Sequence, residues 1–171
     1  MKYTITEEFI IVGDKKLFRV KRVSDGLLGG YIESERNLSQ EGDCFVYDSA
    51  RVFDNVRVSD NAKVYGDARV YSDAWVFGYA WVFGDAWVSG DAKVCGRAKV
   101  SGNATVSDNA KVYGDARVFG DAIVSDNARV YGDAWVSGYA KVFGNARVQT
   151  GHIIGGYIKE KKVYKKRVIM D

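Results

Sequence analysis

The side chains able to carry covalent or metal chemistry are few and scattered. The 171-residue chain has one histidine, His152, and two cysteines, Cys44 and Cys95. The cysteines belong to no Cys-x-x-Cys or other metal-ligand spacing, so no metal site is expected and a reduced, cytoplasmic setting fits best. Cys95 lies two residues after Lys93, whose charge favours a thiolate, but nucleophilic catalysis also needs a positioned base and none is visible there. The glycines recur at regular intervals instead of forming a strand-to-helix phosphate loop. No catalytic residue, metal or cofactor is assigned. A different chemistry is written far more often, Lys or Arg interleaved with Trp, Tyr or Phe. That combination holds phosphates electrostatically while flat groups lie against aromatic rings. Whether those residues share a surface depends on the elements that carry them.

Those elements come from a six-residue repeat. Every sixth position from Val46 to Val148 is Val, and every sixth from Ala50 to Ala146 is Ala, Val56 excepted. The unit is Ala-x-Val-x-turn-turn, as in Ala62-Lys63-Val64-Tyr65-Gly66-Asp67. Side chains alternate along a strand, so Ala and Val point inward while the two x residues point outward. Turn pairs such as Gly84-Asp85, Gly102-Asn103 and Asp108-Asn109 tolerate left-handed backbone, and they make the corners of a chain that has no proline. A single hexad cannot bury its own Val, so each strand must stack on an equivalent one, which is a solenoid. Period six does not fit an α-helix, and a β-branched column with frequent Gly disfavours one. The fold class is therefore all-β, a single-stranded parallel β-helix.

The pattern Val-x-Gly-Asp-Ala-x resembles the hexapeptide repeat of the trimeric LpxA-like superfamily, whose left-handed β-helices use three hexads for each triangular coil. The resemblance covers residues 44–155 and implies about six coils, a prism about 29 Å tall at the spacing of stacked strands. The left hand of the helix follows from the resemblance, not from the spacing. The superfamily's usual small residue directly after the inward aliphatic is here often Tyr, Phe or Ser, as in Val64-Tyr65 and Val82-Phe83. The stretch from Gly29-Gly30-Tyr31-Ile32 through Asn37-Leu38-Ser39-Gln40-Glu41-Gly42-Asp43-Cys44 is also similar to the opening of YdcK-like hexapeptide proteins of bacteria and phages. That likeness implies a fold and supplies no activity. Carbonic anhydrases of the superfamily hold zinc with three histidines, which this chain cannot supply. Its acyltransferases use a histidine as general base beside acyl-CoA. Here the repeat has no loop excursion to build an acceptor pocket, and a period of six places His152 in the inward small-residue column, as a terminating residue.

Both ends break the repeat. Residues 1–43 are expected to form a β cap, with Ile10-Ile11-Val12 and Leu17-Phe18-Arg19-Val20 flanking the turn signal Gly13-Asp14. Residues 156–171 read as a basic capping strand, where Ile154-Gly155-Gly156-Tyr157-Ile158 echoes the earlier Gly-Gly-Tyr-Ile and leads into Lys161-Lys162-Val163-Tyr164-Lys165-Lys166-Arg167-Val168-Ile169. Covered ends and charged edges prevent end-to-end polymerisation. The whole is one structural domain.

Three hexads per coil turn the sequence into three surface maps. The first face carries Arg51/Phe53, Arg69/Tyr71, Trp87/Ser89, Thr105/Ser107, Ile123/Ser125 and Lys141/Phe143. Its small, uncharged middle, bounded by Trp87 and Ile123 and including Ser89, Thr105, Ser107 and Ser125, suits close approach of another subunit. The second face carries Arg57/Ser59, Trp75/Phe77, Lys93/Cys95, Lys111/Tyr113, Arg129/Tyr131 and Arg147/Gln149. It is basic at every first position except Trp75. The third face repeats the mixture more weakly with Lys63/Tyr65, Trp81/Phe83, Lys99/Ser101, Arg117/Phe119 and Trp135/Ser137. Two readings compete for such faces: an anion-binding surface, and plain ladder packing of aromatic and long charged residues on a pleated sheet. Corner residues Asp54, Asp73, Asp91, Asp108 and Asp126 read as turn formers, since one carboxylate per coil lacks the six to eight oxygens of a Ca²⁺ site.

A net charge of +3 is too small to mark a nucleic-acid binder by bulk electrostatics, and no sequence-specific nucleic-acid binding is expected. No apolar run is long enough to span a membrane, and the early acidic pair Glu7-Glu8 interrupts any signal-peptide core, so no membrane partner is expected. The leading expectation is a non-enzymatic, oligomeric binding or scaffold module, with a trimer favoured. It sequesters a small anionic ligand such as a signalling nucleotide through Trp75, Phe77, Lys93, Lys111, Tyr113, Arg129, Tyr131 and Arg147. The alternatives are a hexapeptide-repeat acyltransferase and a purely structural assembly protein.

Overall fold

The alternation of inward Ala and Val with outward polar and aromatic residues folds as a stack of coils in the computed structural model, which describes residues 1–160. The basic strand expected over residues 161–169 lies outside the described residues. β1 (Tyr3–Val12) and β2 (Lys15–Arg22) form an antiparallel hairpin about Gly13, and β3 (Leu28–Ile32) pairs with β2 on one side and with the first coils on the other. Twenty two-residue strands follow, from β4 (Phe45–Val46) to β23 (Tyr157–Ile158). They assemble into three sheets of ten, seven and six strands, the ten including the hairpin and β3. This is a β-solenoid of about seven turns with three faces, and its only helix among the described residues is a 3₁₀ turn at Glu35–Asn37. Among the described residues no helix is long and apolar enough to cross a membrane.

Each outward residue donates its N–H to an inward residue's carbonyl one coil further on, as Lys63 does to Ala80 at 2.9 Å and Tyr65 to Val82 at 3.0 Å. The register is in phase throughout, with Val64, Val82, Val100, Val118 and Val136 in one column of the third face. Every Val and Ala of the repeat is buried. Each Val removed from water contributes about 1.5–3 kcal/mol before chain entropy is counted, so the continuous column is what holds the coils together. The corners require left-handed backbone. At Gly66 φ is 70°, and a Cβ there would lie 3.0 Å from the Gly84 nitrogen of the next coil. Where Asp takes that position instead, its carboxylate satisfies the corner below: Asp60 Oδ2 accepts from Gly78 N at 2.9 Å, and Asp54 Oδ2 from Ser72 N at 2.8 Å.

The period changes near the C-terminal end. Ile153 occupies the Val column only five residues after Val148, pairing with Val136, and Ile158 follows after another five, pairing with Val142. Gly151 and Gly156 take the places of the inward Ala, their carbonyls accepting from Trp135 N at 2.8 Å and Lys141 N at 2.9 Å. One corner residue is therefore lost in each of the last two repeats. This corrects the inward placement of His152: it lies on the outside of the third face, paired in register with Trp135.

The N-terminal end is closed by polar and aromatic groups. Tyr3 is buried and donates its hydroxyl to Leu38 O at 2.6 Å, while Asn37 Nδ2 donates to the carbonyls of Asp54 and Val56. Burial raises the Tyr3 phenol to about 12, and the Glu35 carboxylate pushes the same way. The ion pairs among the described residues all involve the N-terminal cap: Lys15 with Glu33 and Asp54, Arg19 with Glu8, and Arg22 with Asp25.

Candidate anion-binding face

The second face is a six-stranded parallel sheet whose first outward column runs Arg57, Trp75, Lys93, Lys111, Arg129, Arg147 in unbroken register. The structure thus brings together the residues expected to bind an anion, but it sets them in two chemically distinct halves. In the upper half Trp75 lies between two cations, with Arg57 5.5 Å and Lys93 4.8 Å from its ring centroid, and with Phe77 edge-on at 6.4 Å. Such contacts are worth about 0.5–1 kcal/mol each at exposed sites, so this half satisfies its own charges.

The lower half has no indole. Lys111, Arg129 and Arg147 follow one another on adjacent strands, half-buried, with neither a ring nor a carboxylate paired to them among the described residues. Beside them Tyr113 and Tyr131 stack ring on ring at 5.0 Å with an interplanar angle of 8°. Burial pushes the Tyr113 phenol up, and its neighbour Tyr131 adds to the shift, while Arg129 and Arg147 pull it down. Like charges directly opposite one another in a sheet are destabilising, so this row is unfavourable for the fold taken alone.

On the other faces cations also stand on adjacent strands, Arg51 beside Arg69 and Lys99 beside Arg117, but each such pair has an indole next to it. On the first, Arg69 sits 5.0 Å from the ring of Trp87; on the third, Lys63 and Lys99 flank Trp81, and Arg117 lies 4.8 Å from Trp135. The suggested subunit-contact patch is contiguous in space, with Trp87, Thr105 and Ile123 paired in register and Trp87 exposed. Ser89, Ser107 and Ser125 lie beside them, all partly buried.

Two side chains outside these groups have a bearing on chemistry. Cys95, half-buried beside Lys93, has its thiol pushed up by burial, an effect larger than the downward pull of Lys93 and Lys111, so the protonated form is favoured. Cys44 is fully buried, as its inward column requires. His152 makes a contact that the repeat alone does not foretell, because it depends on the five-residue step: its Nε2 lies 2.7 Å from Oγ of Ser137, with the imidazole edge-on to Trp135 at 5.6 Å. Gly151 standing where an Ala belongs was the sequence signal for that step. Ser137 is buried, so the pair forms a closed polar contact under Trp135 and Phe119. No group of three or more His, Cys, Asp or Glu able to hold a metal occurs among the described residues. The corner carboxylates serve the backbone, Asp108 Oδ2 accepting from Asp126 N and Asp126 Oδ2 from Gly144 N.

Compared with known families, the chain is similar to the family model described as YdcK Beta solenoid repeat, which matches residues 110–126 and 124–138. The matched stretch contains Lys111 and Arg129 of the unpaired row and the stacked Tyr113 and Tyr131 beside it. No curated protein matches the chain.

Proposed function

We propose that the protein is a non-enzymatic, oligomeric binding or scaffold module that holds an anionic ligand on its second face. The observation that carries this reading is the row Lys111–Arg129–Arg147, three cations on consecutive strands with neither an indole nor a carboxylate paired to them among the described residues. An anion supplied from outside offsets their repulsion. The reading extends to the hexapeptide-repeat, LpxA-like helix and to a cytoplasmic homotrimer packed side by side through Trp87, Thr105 and Ile123. A signalling nucleotide is a ligand of suitable charge and shape, with Trp75 and Phe77 at the upper end of the row.

Native mass spectrometry of protein purified from a cell lysate tests ligand and subunit number together. A trimer that carries a small-mass adduct is the expected result. A bare chain, with no adduct after exposure to nucleotides and acyl-CoAs, overturns ligand binding in favour of a purely structural role. The 2.7 Å contact between Ser137 and His152 supports a second reading, acyl transfer with His152 as base. That reading requires acyl-CoA consumption that His152→Ala abolishes.

A further inference from the structure

We infer that the second face binds single-stranded nucleic acid by its phosphodiester backbone, without reading the bases. The strand runs along the solenoid axis over Lys93, Lys111, Arg129 and Arg147. The inference rests on the anion-binding reading above and names the ligand class. In-register pairing sets Lys93 beside Lys111, Lys111 beside Arg129, and Arg129 beside Arg147. At about 4.8 Å between strands the row is straight and about 14 Å long. A compact anion neutralises one or two of these rungs, whereas a chain of regularly spaced charges neutralises all of them.

The flanking residues favour a phosphodiester strand among linear polyanions. Tyr113 and Tyr131 stand in the next column, and their hydroxyls are donors of the kind that fix phosphate oxygens and carry no sequence information. Because the two rings cover each other's faces at 5.0 Å, no slot is open between them for a base, and binding is blind to sequence. A duplex winds its phosphates about its axis with a turn of about 34–36 Å and meets a straight row at few points, while a single strand can lie along it. The carboxylates at the corner before the row do not compete: those of Asp108 and Asp126 bond to backbone N–H groups of the next coil. Asp115 and Asp133, at the opposite corner, are exposed and form no ion pair with the row.

Fluorescence anisotropy of the full chain with a labelled oligodeoxythymidylate of about 20 nucleotides tests this. At about 50 mM salt the oligonucleotide binds, and log K falls with log salt at a slope near −3, about 0.7 for each of four phosphates. Mixed-sequence strands of the same length bind within a few fold. Lys111→Glu with Arg129→Glu weakens binding more than about tenfold and roughly halves the slope. Lys111→Gln with Arg129→Gln gives a smaller loss in the same direction, and circular dichroism confirms that both variants stay folded. Lys99→Glu with Arg117→Glu, on the third face, leaves the affinity unchanged. No binding at that salt, or equal binding by the second-face variants, overturns the inference. So does capture by phosphatidylserine vesicles without oligonucleotide binding. If a mononucleotide binds stoichiometrically and Lys111→Glu with Arg129→Glu abolishes this, while the oligonucleotide binds no tighter, the polymer inference falls and the anion site stands. If neither binds, both fall.

Discussion

The two halves of the second face share an interior and differ only outside. Beneath Arg57, Trp75 and Lys93 lie Val58, Val76 and Val94; beneath Lys111, Arg129 and Arg147 lie Val112, Val130 and Val148, all buried and paired in the same parallel register. In the upper half a cation alternates with an indole and the charges are held within the chain. In the lower half cation follows cation. The backbone is indifferent to the change, because the fold is specified by the inward column and the corners. The outward column is free to vary, and the proposed anion site lies where it departs from self-satisfied ladder packing.

The comparison breaks most severely if the common interior is attacked. Val112 adjoins Lys111 on one strand but faces inward and is buried. Val112→Asp places an unpaired carboxylate in the column and is expected to cost more than about 4 kcal/mol. Urea denaturation should show either no folded protein or a midpoint far below that of the parent. A midpoint shift worth less than about 1 kcal/mol would mean that the column is not a closed core.

A smaller, pH-dependent effect distinguishes the top of the second face from its lower half. Leu38, whose carbonyl accepts the Tyr3 hydroxyl, bridges to Val58 at the top of that face. The folded phenol titrates at about 12, above its ordinary value of 10.0. Its neutral form is therefore favoured by folding, and this contribution is fully present below pH 10 and lost as pH rises toward 12. A shift of that size corresponds to about 2–3 kcal/mol. Hydrogen exchange at increasing pH, corrected for intrinsic rates, should show protection falling first around Leu38 and Val58, with Val130 and Val148 retaining theirs. Tyr3→Phe should remove that pH dependence; uniform loosening in the parent would refute the assignment.

Most of this architecture was legible in the residues. The Val column marked the inward face and the in-phase stacking, whereas the grouping of three hexads into a coil followed from the likeness to hexapeptide-repeat helices; Arg57, Trp75, Lys93 and Lys111 stand in the order that grouping implies. His152 lies outside and not inside because the period shortens at Gly151, and a count extended by six past Val148 passes over that signal. The contact with Ser137 then depends on side-chain geometry that periodicity does not encode. Ladder packing and anion binding use the same residue types, so composition alone did not separate them. The proposed distinction rests on whether a run of cations has an indole within it or beside it, as Lys99 and Arg117 do, or has none, as in Lys111, Arg129 and Arg147.

Trp75→Ala tests the self-satisfied half. It removes two cation–π contacts and the edge contact with Phe77, and it is expected to cost about 1–2 kcal/mol in urea denaturation despite the exposure of the indole. No measurable loss would show that the alternation of cation and indole on the upper half contributes nothing to the fold.

The smallest expected effect is the most informative about the lower half. Lys111→Ala with Arg129→Ala removes two long side chains whose aliphatic stems cover some apolar surface, which costs stability. It also removes repulsion within a row of like charges that has no carboxylate partner among the described residues, which restores it. The two contributions are of similar size, so the net change is expected to fall within about 0.5 kcal/mol of zero at low salt. Added salt screens the repulsion in the parent and leaves the variant less affected, so the parent should gain relative to the variant as ionic strength rises. A loss greater than about 1.5 kcal/mol would place the lower row among the groups that hold the solenoid together, and the contrast between the halves would collapse.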